Sequence, residues 1–138
     1  MRVIANIDGG SRGNPGPAAA GVVIRTQDDG TVLHMAGVYV GRATNNVAEY
    51  NGLLEALKRA AVLGADEVEV LSDSELLVKQ MNGEYRVRNA TLKPLFEEAN
   101  RLWNKFAKVI VRYIPREQNQ EADKLANKAM NLKRDVEE

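Results

Sequence analysis

Two periods of hydrophobic and polar positions divide this chain. Near the N-terminus Val3, Ala5 and Ile7 alternate with Ile4, Asn6 and Asp8, a period of two that sends successive side chains to opposite faces of a β-strand. Asp8 is expected at the strand's end. Gly9, Gly10, Gly13 and Gly16, with Pro15 and Pro17, then combine φ-permissive and φ-fixed residues at a density that excludes a helix and predicts a tight turn. Apolar residues resume at Ala18. A second strand is predicted from about Ala20 to Thr26, a turn at Gln27 to Gly30, and a third strand from about Thr31 to Val40. Short connections between three consecutive strands predict an antiparallel meander.

The period changes at Thr44. Tyr50, Leu54, Leu57 and Ala61 mark the apolar face of a helix to Leu63, with Asn51, Glu55, Lys58 and Arg59 on its polar side. Thr44 or Asn45 can cap its start, and Gly64 can end it. Glu67 to Leu71 reads as a short strand. Ser72-Asp73-Ser74-Glu75 then has capping-box spacing and opens a helix through about Met81, stopped by Asn82 and Gly83. After the basic connector Tyr85 to Asn89, a helix from about Leu92 to Phe106 turns Phe96 and Trp103 inward. Lys108 to Ile114 is a strand, Pro115 to Gln120 a polar loop, and Glu121 to about Leu132 a last helix. Ala122, Leu125, Ala126 and Ala129 face inward on it. The charged residues Lys133 to Glu138 are expected to fray. This order predicts one α/β domain over residues 1–138, with helices crossing a mixed sheet.

Composition narrows the chemistry. Without cysteine there are no disulfides, thiolate metal sites or thiol nucleophiles. The single histidine, His34, is expected on a strand surface, so a Ser-His-Asp triad has nothing to work with. No apolar run reaches the length of a signal peptide or membrane span, which makes a cytoplasmic protein the default. Basic and acidic residues balance at 19 each, so any polyanion site must be a local patch.

Four acids stand in unusual places. Asp8 and Asp73 end strands, where ligand sites of α/β sheets form. Glu49 aligns with Leu53, Ala56 and Ala60 on the margin of an apolar helix face, and Asp123 lies likewise beside Met130. Taken singly, Asp73 and Asp123 could equally be acids placed favourably at helix N-termini. Taken together, the four suggest a carboxylate cluster, which repels itself unless a cation is present. Oxygen ligands alone favour Mg²⁺ or Mn²⁺. Two such ions about 4 Å apart suit metal-assisted phosphodiester hydrolysis.

Four segments carry a resemblance to a known family: Ile7 to Gly16, Thr44 to Glu49, Leu71 to Ser74, and Asn119 to Asp123. In this order, and over nearly the whole chain, they resemble the type 1 ribonuclease H enzymes. The resemblance implies a ribonuclease H-like fold, a five-stranded mixed sheet with three antiparallel strands and then two parallel ones, flanked by helices. It implies that Asp8, Glu49, Asp73 and Asp123 hold two Mg²⁺ ions, and that the RNA strand of an RNA–DNA hybrid is cut to leave a 5′-phosphate and a 3′-hydroxyl. Asn14 and Asn46 look like contacts to RNA 2′-hydroxyls, the group that separates RNA from DNA. Arg42, Thr44 and Asn89 look like a pocket for a DNA-strand phosphate. Gly9, Gly10, Arg12 and Gly13 fit close backbone contacts, and Asn45 is either a helix cap or a substrate contact.

Two departures modify these expectations. Many relatives carry a histidine in the loop before the last acid; here that loop reads Pro115-Arg116-Glu117-Gln118-Asn119, as in the histidine-lacking branch, and Arg116 is either a positive charge at the scissile phosphate or a solvated residue. The basic protrusion of several relatives is missing, leaving Arg86 and Arg88, which predicts weaker and more salt-sensitive binding. A monomer acting on the hybrid, with double-stranded RNA as a further substrate of some handle-less relatives, is one expectation. A catalytically silent hybrid- or duplex-binding module is the alternative, because fold does not imply function.

Overall fold

β1 (Arg2–Ser11), β2 (Gly16–Thr26) and β3 (Val32–Ala43) form the antiparallel meander in the computed structural model, which describes residues 1–138. α1 (Asn45–Val62) leads to β4 (Glu67–Ser72), which pairs parallel to β1. α2 (Glu75–Met81) and α3 (Leu92–Trp103) precede β5 (Lys108–Tyr113), parallel to β4. A single 3₁₀ turn at Arg116–Gln118 leads into α4 (Gln120–Leu132), and the chain closes with β6 (Val136–Glu137). The sheet order is β5-β4-β1-β2-β3-β6. Three antiparallel strands followed by two parallel ones match the ribonuclease H-like arrangement expected, with a sixth strand added at the edge.

The alternation of β1 sorts its side chains between two layers. Val3, Ala5 and Ile7 join Val22 and Ile24 of β2, Val68 and Val70 of β4, and Tyr50, Leu53 and Leu57 of α1 in the main core. Leu53 and Leu57 are fully buried, each stabilising the fold by about 1.5–3 kcal/mol. The buried Tyr50 hydroxyl donates to Gln80 Oε1 at 2.7 Å and so ties α1 to α2. Phe96 and Trp103 pack partly buried against this core, as their inward positions predicted. The opposite face of the sheet carries α4 alone. Its residues Ala126, Ala129 and Met130 pack on Ala19, a shallow contact built from small side chains.

Several local expectations change: β2 begins at Gly16, β3 runs on to Ala43 and α3 ends at Trp103, short of Phe106. β1 does not stop at Asp8: Gly9, Gly10 and Ser11 continue the ladder opposite Ala20, Ala19 and Ala18, so the turn shrinks to Arg12–Pro15. The helix after Asp73 is capped by Ser74, whose side chain accepts from the Leu77 N–H, and not by Ser72, whose hydroxyl instead accepts from the Ser74 N–H. His34 is buried, 7% exposed, because the C-terminal half of α1 and the end of the chain cover its strand. Residues 133–138 do not all fray. Val136 and Glu137 pair with Gly37 and Ala36, and Asp135 accepts from the Tyr39 N–H at 2.7 Å.

Candidate active site

Asp8, Glu49 and Asp73 converge from three elements around the middle of the sheet. One carboxylate oxygen from each lies within 4.8 Å of the others. β1 supplies Asp8, on the face that α4 covers; β4 ends one residue before Asp73; and the first turns of α1 lean over Gly9 to deliver Glu49. That approach depends on Gly9, where any Cβ would overlap the backbone of Ala48 and Glu49. The Gly9 N–H donates to Glu49 Oε1 at 3.1 Å. Glu49 Oε2 is buried and has no hydrogen-bond partner.

Asp123 stands outside this triplet on the first turn of α4, with its carboxyl facing that of Asp8. Burial raises the Asp8 pKa, and the nearby Glu49, Asp73 and Asp123 carboxyls raise it further. Glu49 is raised too, by its burial and then by Asp73. No basic side chain forms an ion pair with any of the four. A bound cation would relieve the repulsion within this cluster. The orphaned buried oxygen of Glu49 and an all-oxygen donor set fit a hard divalent ion.

The acids line a polar cleft of about 440 Å³, together with Gly9, Gly10, Arg12, Asn45, Asn46 and Arg116. Gly13, Asn14, Arg42, Thr44 and Asn89 are not on its wall. Asn14, in the turn, uses its side-chain oxygen to accept from the Asn45 N–H at 2.9 Å, and Asn45 Oδ1 accepts from the Ser11 N–H at 2.7 Å. These bonds clasp the glycine-rich turn to the start of α1. Thr44 caps α1 through the Val47 N–H, and Asn89 accepts from the Thr91 and Leu92 N–H groups at the start of α3. Arg42 is exposed at the end of β3 without an ion pair.

Two residues of this region carried no earlier assignment. Asn127 flanks the cleft from α4 and accepts a long contact from Arg12 at 3.5 Å. Asn119, 1% exposed, donates from Nδ2 to the Ile7 carbonyl at 2.7 Å and accepts from Asn6 Nδ2 at 3.1 Å. Its own carbonyl accepts from the Asp123 N–H. One side chain therefore fixes the start of α4 to the strand that bears Asp8. Asn119 opens one of the four segments that carry the family resemblance, but the loop otherwise reads as solvated and nothing in it marks the side chain as buried. Asn119→Ala is expected to cost about 1–3 kcal/mol in a urea melt by stranding buried partners, and to lower activity more than an exposed substitution such as Gln118→Ala.

The family model described as Reverse transcriptase-like matches residues 6–129. Ribonuclease HI of Halobacterium salinarum is 43% identical over 130 residues, covering 94% of this chain and 65% of that protein. The crystal structure of LC11-RNase H1 in complex with RNA/DNA hybrid superimposes with a TM-score of 0.89 at 44% identity, over 95% of this chain and 98% of that one. The chain belongs to the type 1 ribonuclease H family. Bifunctional protein Rv2228c of Mycobacterium tuberculosis is 48% identical over 131 residues, or 95% of this chain. The chain spans only 36% of that protein's length and just under two thirds of the Halobacterium ribonuclease HI. Within the type 1 ribonuclease H family this member has an arginine, Arg116, at the cleft and no histidine in the loop before α4.

Proposed function

We propose that this chain is a metal-dependent endoribonuclease that hydrolyses the RNA strand of RNA–DNA hybrids, leaving 5′-phosphate and 3′-hydroxyl ends. The observation that carries this reading is the unpaired carboxylate triplet of Asp8, Glu49 and Asp73, with an orphaned buried oxygen, in a cleft open to solvent. The likeness to a ribonuclease H1 crystallised with RNA/DNA hybrid supports the substrate class. Asp8, Glu49, Asp73 and Asp123 would hold two Mg²⁺ ions, with Mn²⁺ able to replace them. Such ions supply a water acidic enough to attack near neutral pH and charge to stabilise the departing oxygen.

The protein's own groups orient the reaction. The Gly9 N–H holds Glu49 in one rotamer, and Asn119 holds Asp123 against β1. Arg116 offers a positive charge at the cleft for the leaving strand. Asn14 and Asn46 contact 2′-hydroxyls, Asn14 through the amide hydrogens that its bond to Asn45 leaves free. Gly10, Arg12, Gly13 and Asn45 approach the RNA backbone, while Arg42, Thr44 and Asn89 bind a phosphate of the DNA strand. The chain would act as a cytoplasmic monomer; none of its helices is long and apolar enough to cross a membrane.

One labelled sequence, presented as RNA–DNA hybrid, RNA duplex, DNA duplex and single-stranded RNA with Mg²⁺, Mn²⁺ or chelator, tests the reading. Chelator-sensitive cutting of the hybrid's RNA strand is the expected result, and the RNA-duplex lane measures breadth. Hybrid bound but uncut in every lane would make the chain a binding module.

A further inference from the structure

The cleft continues past Asp123. On the far side of that residue lies a second cavity of about 390 Å³, lined by Arg116, Glu117, Gln120, Asp123 and Lys124. Arg116 and Asp123 line both cavities. Helix geometry separates the two acid–base neighbours of α4: one residue is a rotation of about 100°, so Asp123 faces the carboxylate cluster while Lys124 stands above Gln120, one turn earlier, on the second cavity.

Arg116 and Lys124 are exposed and neither forms an ion pair, although Glu117 lines the same cavity and the carboxylate cluster adjoins it. Two free cations therefore flank the strongly anionic end of the site. A nucleic-acid strand lying along the first cleft from Asn45, Asn46 and Arg12 to the acids must leave between the 3₁₀ turn and α4. At that exit Arg116 and Lys124 place two unpaired cations beside Glu117 and Asp123, and there the next phosphate meets positive charge beyond the carboxylate cluster.

We propose that the second cavity binds the RNA-strand phosphate next beyond the scissile one, on the side away from Asn45 and Asn46, with Lys124 as its contact. The subsite rests on the reading of the chain as a hybrid ribonuclease. Lys124 is a substrate contact and takes no part in the bond cleavage itself.

The test measures hybrid binding by fluorescence anisotropy in full-length protein carrying Asp73→Asn, so that the substrate stays whole. Three hybrids are compared once the cut position has been mapped in wild-type protein: one intact, and two whose RNA strand is shortened to end at the cut from either side. Adding Lys124→Ala is expected to weaken the intact hybrid roughly fivefold and to reduce the slope of log affinity against log salt by about one. With one of the shortened hybrids, and only one, that difference should vanish. Lys124→Arg should restore both readouts. Unchanged affinity for the intact hybrid, or an equal loss on all three, would overturn the subsite, the second by reducing Lys124 to general charge. Failure of the wider reading shows separately: wild-type protein then cuts no hybrid, no cut position can be mapped, and the subsite falls before any Lys124 variant is compared.

Discussion

Asp8→Asn should lower hybrid cleavage in saturating Mg²⁺ by at least about a hundredfold, because losing several kcal/mol of charge stabilisation costs a factor of ten per 1.36 kcal/mol. In the same protein, the thermal midpoint without metal should rise. The second effect follows from the carboxylate's surroundings. Burial, then Glu49, Asp73 and Asp123, raise the Asp8 pKa from 3.8 to about 9 in the folded chain. Between those values the native state keeps a proton that the unfolded chain has released. Folding stability is therefore fully present below the lower value and is lost as pH rises toward the upper one. An amide at residue 8 removes that contribution to the loss.

Calorimetry in chelator at mildly acidic and at alkaline pH checks the sign: wild-type protein should lose more stability across the interval than Asp8→Asn. Mg²⁺ should reverse the ranking, since it binds the native wild-type cluster and displaces its protons. Metal affinity, and with it activity, should climb with pH in the wild type. Full cleavage by the variant would remove Asp8 from the metal set.

A large stability effect is expected at Gly21, on the strand that pairs with β1. Its position opposite Asp8 in the ladder points at α4, and a Cβ there would overlap the Ala122 carbonyl and press on the Ala126 N–H. Both obstacles are backbone, so neither can rotate away. Gly21→Ala is expected to cost about 3 kcal/mol or more, read as a fall in the urea midpoint. Because α4 carries Asp123, residual activity at low temperature should fall as well, through displacement of that acid. Gly10→Ala is the control for stability: its Cβ would meet only the Met130 methyl at 3.6 Å, an ordinary contact. Equal stability of the Gly21 and Gly10 variants would show that α4 is free to lift from the sheet.

These two positions also mark how far the amino-acid order can be read. Asp8 was visible because it stands where a strand gives way to a glycine-rich stretch, a place where ligand sites of α/β sheets form, and Glu49 because a lone acid on the margin of an apolar helical face is costly. Period alone placed every long helix and the five main strands. It could not show where glycines continue a ladder, so β1 looked three residues too short. Nor does alternation reveal which sheet face is covered, and His34 was therefore expected in solvent. Ala61 was assigned to the inner face of α1, yet it is exposed while Ala60 is buried. Close backbone approach at Gly21 and the bridging of two layers by Asn119 depend on contacts more than a hundred residues apart. Local pattern contains no trace of them.

The four acids reach the site from both sides of the sheet, and the last arrives with α4, the final helix. The contacts of α4 are what cover Ala19 and Gly21, and its first residues are tied to β1 by the bond from Asn119 to Ile7. Completion of the cluster thus coincides with burial of the second sheet face.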